Sequence, residues 1–271
     1  MEKTIQEPRR KNLLSSLDIQ AGPVLEIAPL YRPMVLKSDC EVYYCDCCDT
    51  NESSKKHNNY THDQIVEIDF VWLPGTELSS ASPISSFQTC VASHVLEHVP
   101  NPIGWLNSIF EVIPIGGVIA LALPAKEYCF DLFRQDTSVA QLLDLWFRKP
   151  TLPTTLQIYD FLSKSVGTGF KNTPSDSIAS CISECRRDYS NQQALEFSQH
   201  VWNNKAYLDC HCSVFSLETF PSIFNELVEL GIINCRVDAC FSCPETPSEF
   251  YVHLVKLGAP LVQPPELANG L

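Results

Sequence analysis

Short apolar runs bounded by turn residues recur along the first half of the chain and predict buried strands. The first run follows Gly22-Pro23 and stops before Pro29. The strands predicted in this half cover residues 24–27, 41–45, 64–71, 87–92 and 118–123, of which 64–71 has the weakest pattern. Near the C-terminus, residues 232–241 and 250–257 flank a turn-rich segment and are predicted to form an antiparallel pair at one sheet edge.

Apolar residues at helical spacing predict helices over 96–112 and 217–230, the second ended by Gly231. Between residues 125 and 206 the strand–helix alternation lapses, and helices are predicted over 139–147, 177–187 and 192–200. Strands that alternate with helices form parallel sheets covered on both faces. The predicted fold class is therefore α/β: a Rossmann-like parallel sheet with helices on both faces, an antiparallel edge hairpin at the C-terminus, and a helical insertion after the fifth strand.

We divide the chain into five segments on this pattern. They are an N-terminal segment (1–20), a Rossmann-like core (21–124), a helical insertion expected to cover a substrate pocket (125–206), a return to the core (207–257) and a tail (258–271).

Composition narrows the classes of partner. The 271 residues are 45% apolar, enough to bury the core of an ordinary domain. Nineteen Lys and Arg against 32 Asp and Glu give a formal charge of −13, which argues against nucleic acid and anionic membranes as partners. No apolar stretch reaches the ~20 residues of a membrane span, and residues 1–11 lack the apolar core of a secretory signal. We expect a cytoplasmic protein and leave a homodimer open.

The 13 cysteines are expected to be thiols, because disulfides are unusual in a reducing compartment. Three groups contain residue types suited to zinc: Cys45-Asp46-Cys47-Cys48, Cys210-His211-Cys212 and Cys240-Phe241-Ser242-Cys243. The predicted strands carry some of these cysteines, where small core-filling thiols are the simpler interpretation. We therefore expect no metal site, with zinc as the alternative.

Polar residues stand where the predicted strands end. Glu26, Asp46 and Asp69 lie at or near the ends of the first three strands, and Ser93-His94 follows the fourth. In open α/β sheets, ligands bind at the carboxyl ends of the strands, where the winding direction reverses. Carboxylates there can accept hydrogen bonds from amino and ribose hydroxyl groups, so this rim suits a cationic nucleoside.

The same residues carry a resemblance to a family. Its motifs, in chain order, are Leu25-Glu26-Ile27, Tyr44-Cys45-Asp46, Ile68-Asp69-Phe70, residues 92–102 (ASHVLEHVPNP), Pro114-Ile115-Gly116-Gly117 and Leu121-Ala122-Leu123-Pro124. Together they resemble class I S-adenosylmethionine-dependent methyltransferases. Residues 103–106, 126–131 and 207–212 further resemble a bacterial group of that superfamily often found beside glycan-building enzymes.

The resemblance implies S-adenosylmethionine as cofactor, bound by the core segment. It implies that Glu26, Ala28, Pro29 and Arg32 hold the methionine part, that Asp46 holds the ribose, that Asp69 and Phe70 contact adenine, and that Ser93 lies near the methyl group. The alternative for each acid is a solvated strand end or a helix cap. The implied reaction is methyl transfer to an oxygen, or less favourably a nitrogen, of a small molecule or sugar.

Histidine is the side chain best suited to remove a hydroxyl proton at neutral pH. His94, directly after the fourth strand, is the first candidate for a catalytic base, and His211 is the second. His98 is interpreted as a hydrogen-bonded core residue. Asp131 and Arg134 are candidates for substrate contact, although a surface salt bridge between them is the simpler interpretation.

One position departs from the family pattern. The loop after the first strand is normally glycine-rich, because its backbone passes close to the ligand and adopts positive φ, yet Ala28 occupies the first glycine position. A methyl group there weakens cofactor binding if φ is positive and is harmless if φ is negative. This departure motivates an alternative function: a non-catalytic binding or scaffolding protein that keeps the methyltransferase fold.

Overall fold

The computed structural model describes residues 2–56, 65–166 and 185–264, with side chains from Glu7 onward. Seven strands form one sheet: Val24–Ile27 (β1), Val42–Asp46 (β2), Phe70–Val71 (β3), Thr89–Ser93 (β4), Val118–Pro124 (β5), Cys235–Ser242 (β6) and Glu249–Lys256 (β7). Their order across the sheet is β3-β2-β1-β4-β5-β7-β6. The predicted Rossmann-like α/β architecture is confirmed.

Eight α-helices accompany these strands within the described residues. They are Glu2–Leu13 (α1), Thr50–Lys56 (α2), Leu78–Ala81 (α3), Pro102–Glu111 (α4), Val139–Arg148 (α5), Thr155–Lys164 (α6), Asn191–Asn204 (α7) and Phe220–Glu229 (α8). Short 3₁₀ turns cover Leu96–His98 and Lys126–Tyr128. In the described part of the chain, no helix has both the length and the apolar character needed to cross a membrane.

The first five strands are parallel, and β1 is paired with β2 on one side and β4 on the other. Because β4 follows β2 and β3 in the chain but lies on the opposite side of β1, the winding direction reverses there. Strand β7 runs antiparallel to both β5 and β6, which confirms the predicted edge hairpin. The crevice expected to bind a ligand therefore lies between the carboxyl ends of β1 and β4.

Alternate side chains of the strands fill two separate cores. Leu25 and Ile27 of β1 pack in the larger core, with helices α4, α5 and α8. Val24 packs in the smaller core on the other face, to which α1 contributes Leu13. Both faces of the central strands are thus buried, as the near-continuous apolar runs of a parallel sheet require.

Prolines explain why the helix predicted over 96–112 is interrupted. Pro100 and Pro102 lack the N–H that a continuous helix needs, so the chain forms a 3₁₀ turn over Leu96–His98 and then begins a new helix. Asn101 caps that helix by accepting a hydrogen bond from the backbone N–H of Gly104 at 3.2 Å.

Helices α6 and α7 build a third small core in the insertion, together with Cys210 and Cys212. Helix α6 was not predicted, although Thr154 and Gln157 form a capping box at its start. The start of α7 lies within one residue of the prediction, and the helix continues to Asn204. Residues 177–184 of the predicted helix 177–187 lie outside the described residues. The returning segment 207–216 thus has the insertion on one side and the sheet edge on the other.

Candidate functional site

The carboxyl edge of the sheet brings together several of the residues predicted to form the site. Asp46 and Ser93 are the last residues of β2 and β4, and Glu26 lies one residue before the end of β1. In the strand register Ile27 is paired with both Cys45 and Ala92, so these three strands end almost level.

Glu26 organises the loop that follows its own strand. Its carboxylate is 2% exposed and accepts hydrogen bonds from the backbone N–H groups of Met34 at 2.6 Å and Val35 at 2.9 Å. Burial raises the pKa of Glu26 to about 8, although the two amides and the charge of Arg10 act in the opposite direction. The two oxygens therefore close the loop from residue 28 to residue 35 on the end of β1.

The backbone of this loop is left-handed at two residues with side chains. Ala28 has φ 53° and Leu30 has φ 49°, so the alternative of a negative φ at Ala28 is wrong. The loop keeps a conformation that glycine adopts without strain, at a cost of about 1–3 kcal/mol for each residue that has a Cβ. Pro29 lies between them, its carbonyl accepts from the N–H of Arg32 at 3.0 Å, and the Arg32 guanidinium stacks over Tyr31.

Asp46 lies at the rim, beside the end of β3. Its Oδ1 accepts a hydrogen bond from the N–H of Cys47 at 2.6 Å, and its carbonyl accepts from the N–H of Trp72 at 2.9 Å. The side chain is half-buried. A carboxylate at the end of the second strand is the arrangement that the sequence predicts for a group that binds ribose.

Asp69 does not lie at the end of a strand, so that part of the sequence interpretation is wrong. Strand β3 begins at Phe70, and Asp69 precedes it beside Tyr44, in the middle of β2. One carboxylate oxygen accepts from the N–H of Tyr44 at 2.8 Å, and the other pairs with Lys37 at 2.6 Å. Phe70 packs against the larger core and is paired with Cys45. The residues of this segment that reach the carboxyl edge are Val71 and Trp72.

A charged group from the first helix reaches the end of β4. The Arg9 guanidinium donates to both oxygens of Glu249 at 2.8 and 3.0 Å and to Ser93 Oγ at 2.9 Å. His94 Nε2 lies 3.0 Å from Glu249 Oε2, and its backbone has φ 55°. Two residues far apart in the chain, Arg9 and Glu249, therefore fix Ser93 and His94 at the end of β4.

The charge state of His94 does not suit a general base in this arrangement. Burial lowers the pKa of His94, but the neighbouring carboxylates of Glu249 and Glu97 outweigh burial and raise the pKa to about 9. At neutral pH the ring carries a proton and cannot accept another. Its Nδ1 lies 3.4 Å from Glu97 Oε1.

Glu97 is a buried carboxylate in the 3₁₀ turn after β4. It is 1% exposed, and neither oxygen accepts a hydrogen bond from any described residue. Burial raises the pKa of Glu97, but the nearby histidines lower it below its ordinary value overall. Glu97 lines one small pocket together with Asp131, Phe215 and Ser213, whose Oγ also has no hydrogen-bond partner among the described residues.

His211 is held by a buried ion pair. Its Nδ1 contacts Asp131 Oδ2, and Arg134 donates to Asp131 Oδ1 at 2.7 Å and to the His211 carbonyl at 2.8 Å. Asp131 and Arg134 are 1% and 2% exposed, so the interpretation of a surface salt bridge is wrong. The returning segment and α6, which supplies Asp160 to Arg134 at 2.9 Å, cover the pair.

His98 is hydrogen-bonded, as the sequence interpretation has it, but it is not a core residue. Its side chain is 32% exposed, and its Nδ1 lies 2.9 Å from Asp209 Oδ1. Its ring packs edge-on against the ring of His211 with centroids 4.6 Å apart. Pro100 and Pro102 interrupt the predicted helix, so His98 lies in a short 3₁₀ turn and not on a helix face that packs against the core.

Sequence reasoning missed Arg9, Glu97 and Glu249. The position of Glu249 could have been predicted from the edge hairpin. An antiparallel strand beside β5 begins at the edge where the parallel strands end, and Glu249 is the first residue of that strand. Glu97 stands in a run that the sequence interpretation assigned to one helix. Arg9 had no such signal, since its partners lie 84 and 240 residues away.

The edge thus contains two kinds of chemistry. On the β1 and β2 side, a tightly closed loop and Asp46 present backbone and carboxylate groups. On the β4 and β5 side, three histidines are each aligned by a carboxylate: Glu249 on His94, Asp209 on His98 and Asp131 on His211. A carboxylate that fixes an imidazole is the arrangement that supports proton transfer or metal binding.

Comparison with known proteins adds little to this geometry. No family model matches the chain, and no curated protein matches it. Among solved structures, an S-adenosylmethionine-dependent methyltransferase from Mesorhizobium loti is 11% identical, with a TM-score of 0.46 over 93% of this chain and 98% of that one.

Two further structures give similar values. A putative methyltransferase bound to the Trm112 activator of Haloferax volcanii is 11% identical, with a TM-score of 0.46 over 97% of this chain and 92% of that one. A putative zinc-dependent alcohol dehydrogenase from Rhodobacter sphaeroides is 9% identical, with a TM-score of 0.49 over 92% and 89%. With scores and identities this low, the likeness carries no argument about activity, and the fold assignment depends on the strand order.

Ala28→Gly should stabilise the protein. Glycine removes the Cβ strain at φ 53°, and this gain exceeds the added entropy of the unfolded chain. We expect the free energy of unfolding in urea to rise by about 0.5–1 kcal/mol. Ala21→Gly, at a position without positive φ, is the control and should be neutral or destabilising. A loss of stability in Ala28→Gly would contradict the interpretation of strain.

Glu26→Gln should stabilise the protein at neutral pH by about 1–3 kcal/mol. With a folded-state pKa of about 8, the wild-type carboxyl takes up a proton on folding, and the neutral glutamine avoids this cost. The gain should be absent below pH 4.5 and should grow as the pH rises to 8, so urea unfolding of both proteins from pH 4 to pH 8 measures it. Glu41→Gln, at an exposed position, should change stability by less than about 0.5 kcal/mol. A loss of stability in Glu26→Gln at neutral pH would mean that the hydrogen bonds from Met34 and Val35 to an ionised carboxylate outweigh its burial.

The contribution of His94 to stability should disappear at alkaline pH. Because its folded-state pKa of about 9 exceeds the ordinary 6.5, the stabilisation is complete below pH 6.5 and is lost as the pH rises through 9. Since 38% of the side chain is exposed, we expect a modest effect of about 1 kcal/mol. The measurement is the difference in unfolding free energy between the wild type and His94→Gln from pH 6 to pH 10. A difference that stays constant across this range would refute the charged state.

Proposed function

We propose that the protein is a methyltransferase that uses S-adenosylmethionine as its methyl donor. The observation that carries the proposal is the loop after β1: it is left-handed at Ala28 and Leu30 and closed by Glu26, and it stands beside Asp46 at the point where the winding of the sheet reverses. In the family that the motifs resemble, this loop is glycine-rich because its backbone meets the cofactor. Its persistence without glycine, at a cost in strain, supports a retained binding role.

Asp46 is the proposed ligand of the ribose hydroxyls. The loop from Ala28 to Arg32 would face the methionine part, and Ser93 would lie near the methyl group. Asp69 has both carboxylate oxygens engaged by Lys37 and Tyr44, so it supports the loop and β2. We assign the adenine side of the crevice to the end of β3, where Val71 and Trp72 stand, in place of Asp69 and Phe70.

The acceptor is proposed to be an oxygen, with nitrogen as the less favoured choice, on a small molecule or a sugar. Sulfonium is an activated donor, so the protein has mainly to align the acceptor and remove its proton. His211, oriented through Nδ1 by Asp131, presents Nε2 for that task. The insertion that contains α5, α6 and α7 is proposed to cover the acceptor pocket. The resemblance of residues 103–106, 126–131 and 207–212 to a bacterial group found beside glycan-building enzymes supports the sugar.

The role of His94 depends on the cofactor. A bound sulfonium would be a second positive charge close to the imidazolium, and like charges lower the pKa of a cationic acid. Cofactor binding would therefore favour loss of the His94 proton.

Isothermal titration tests the donor. We expect the wild type to bind S-adenosylmethionine and its demethylated product. Asp46→Asn should weaken binding about tenfold or more, because it removes a charged hydrogen-bond acceptor. Asp144→Asn, at an exposed helix position paired with Arg148, is the matched control and should bind like the wild type. Absence of heat and of thermal shift with either compound at millimolar concentration would exclude the proposal.

The scaffolding alternative predicts a different result with the same protein. It expects cofactor binding without methyl transfer to any hydroxyl or amine acceptor. Transfer of a labelled methyl group that is abolished in His211→Ala would exclude the scaffold, provided that the variant still binds the demethylated product as the wild type does.

A further inference from the structure

We propose that Glu97, His98 and His211 form a binding site for one divalent transition-metal ion, with zinc as the ion best suited to it. One ligand atom from each of these residues lies within 4.8 Å of those from the other two. The three come from two chain segments, the 3₁₀ turn after β4 and the returning segment, which are tied together by the Ser213 N–H donating to the Glu97 carbonyl at 3.1 Å.

Each of the two imidazoles contacts a carboxylate through Nδ1, as imidazoles that bind metal ions in proteins usually do. His98 Nδ1 lies 2.9 Å from Asp209 Oδ1, and His211 Nδ1 contacts Asp131 Oδ2. A carboxylate on one ring nitrogen fixes the tautomer and raises the basicity of the other nitrogen. Nε2 of each ring is therefore the nitrogen that can ligate a cation.

Glu97 supplies the independent observation. Its carboxylate is 1% exposed and accepts no hydrogen bond from any described residue, although buried carboxylates nearly always accept one. The nearest cationic atom given by the described contacts is His94 Nδ1, at 3.4 Å from Oε1. A metal ion between Glu97 and the two rings would satisfy this carboxylate directly.

The local charges favour a divalent cation. Glu97, Asp131 and Asp209 are three carboxylates around two rings, and Arg134 pairs with Asp131. With these two rings neutral, the three carboxylates face the charges of Arg134 and of the protonated His94, so one net negative charge remains. His98 is 32% exposed while Glu97 and His211 are buried, so the site has an entry side and a closed side.

Two nitrogens and one carboxylate oxygen are the donors of open zinc sites, in which a fourth position is left for water or substrate. A second group, Cys129, Asp131 and His211, also has ligand atoms within 4.8 Å of one another. Both oxygens of Asp131 are already engaged, by Arg134 and by His211, so we favour the group that contains Glu97. From the cysteine groups that the sequence offers, the site uses His211 and no cysteine.

The metal site does not depend on the proposed methyl transfer, because its geometry alone defines it. If the protein is a methyltransferase, His211 with a metal bound would be a ligand and would not be the proton acceptor. The two proposals can therefore fail separately: one by loss of cofactor binding, the other by loss of metal binding.

Cobalt(II) titration of the full chain, stripped of metal by a chelator, tests the proposal. We expect one cobalt per chain with visible d–d absorption and without the near-ultraviolet charge-transfer band of thiolate ligands. His98→Ala should abolish this stoichiometric binding, and its partly exposed position makes a folded variant attainable. Asp209→Asn, which alters the support of His98 and leaves Tyr207 an amide oxygen to bind, should weaken cobalt binding about tenfold.

His200→Ala is the matched control, since His200 is an exposed histidine on α7 away from the cluster. It should bind cobalt like the wild type. Far-ultraviolet circular dichroism checks that each variant is folded. A thiolate charge-transfer band would assign the ion to cysteines and overturn the proposal. Absence of stoichiometric cobalt binding by the wild type would overturn it as well, as would wild-type affinity in His98→Ala.

Discussion

Burial of carboxyl groups at the carboxyl edge of the sheet is the constraint on which the rest of the structure depends. Glu26, Glu97, Asp131 and Glu249 are each at most 2% exposed, and an ionised carboxylate is costly to bury without partners. Hydrogen-bond donors from distant segments of the chain offset this cost. Backbone amides serve Glu26, Arg9 and His94 serve Glu249, and Arg134 and His211 serve Asp131. Glu97 has the weakest set of partners, and for this reason it points to a ligand.

Local patterns account for most of the sheet. Strands β1, β4 and β5 are short apolar runs bounded by glycine, proline or polar residues, and burial on both faces selects such runs whatever their surroundings. The pattern fails for β3, where pairing with β2 is limited to Phe70 and Val71. The shift moves Asp69 from the end of a strand to its beginning. A one-strand error of this kind changes the assignment of a site residue although the fold class is correct.

The site was less accessible to sequence reasoning, because its geometry comes from contacts between residues far apart in the chain. Burial of Asp131 and Arg134 depends on His211, 80 and 77 residues later. A spacing of three residues alone favours an exposed pair, and only the returning segment makes it a core ion pair. The left-handed φ of Ala28 was likewise beyond prediction, since alanine adopts negative φ almost everywhere and the loop overrides that preference through Glu26.

The clamp of Arg9 and Glu249 also bears on how the molecule is assembled during translation. Its two residues are separated by 240 positions, so the ribosome must make all the residues between them before the clamp can close. Until β7 has been made, His94 lacks its contact with Glu249. The backbone groups on one side of β5 are also unpaired and can pair with another chain. The edge that carries Ser93 and His94 is therefore completed last, when β7 pairs with β5. Protection by a chaperone should matter most until that pairing has formed.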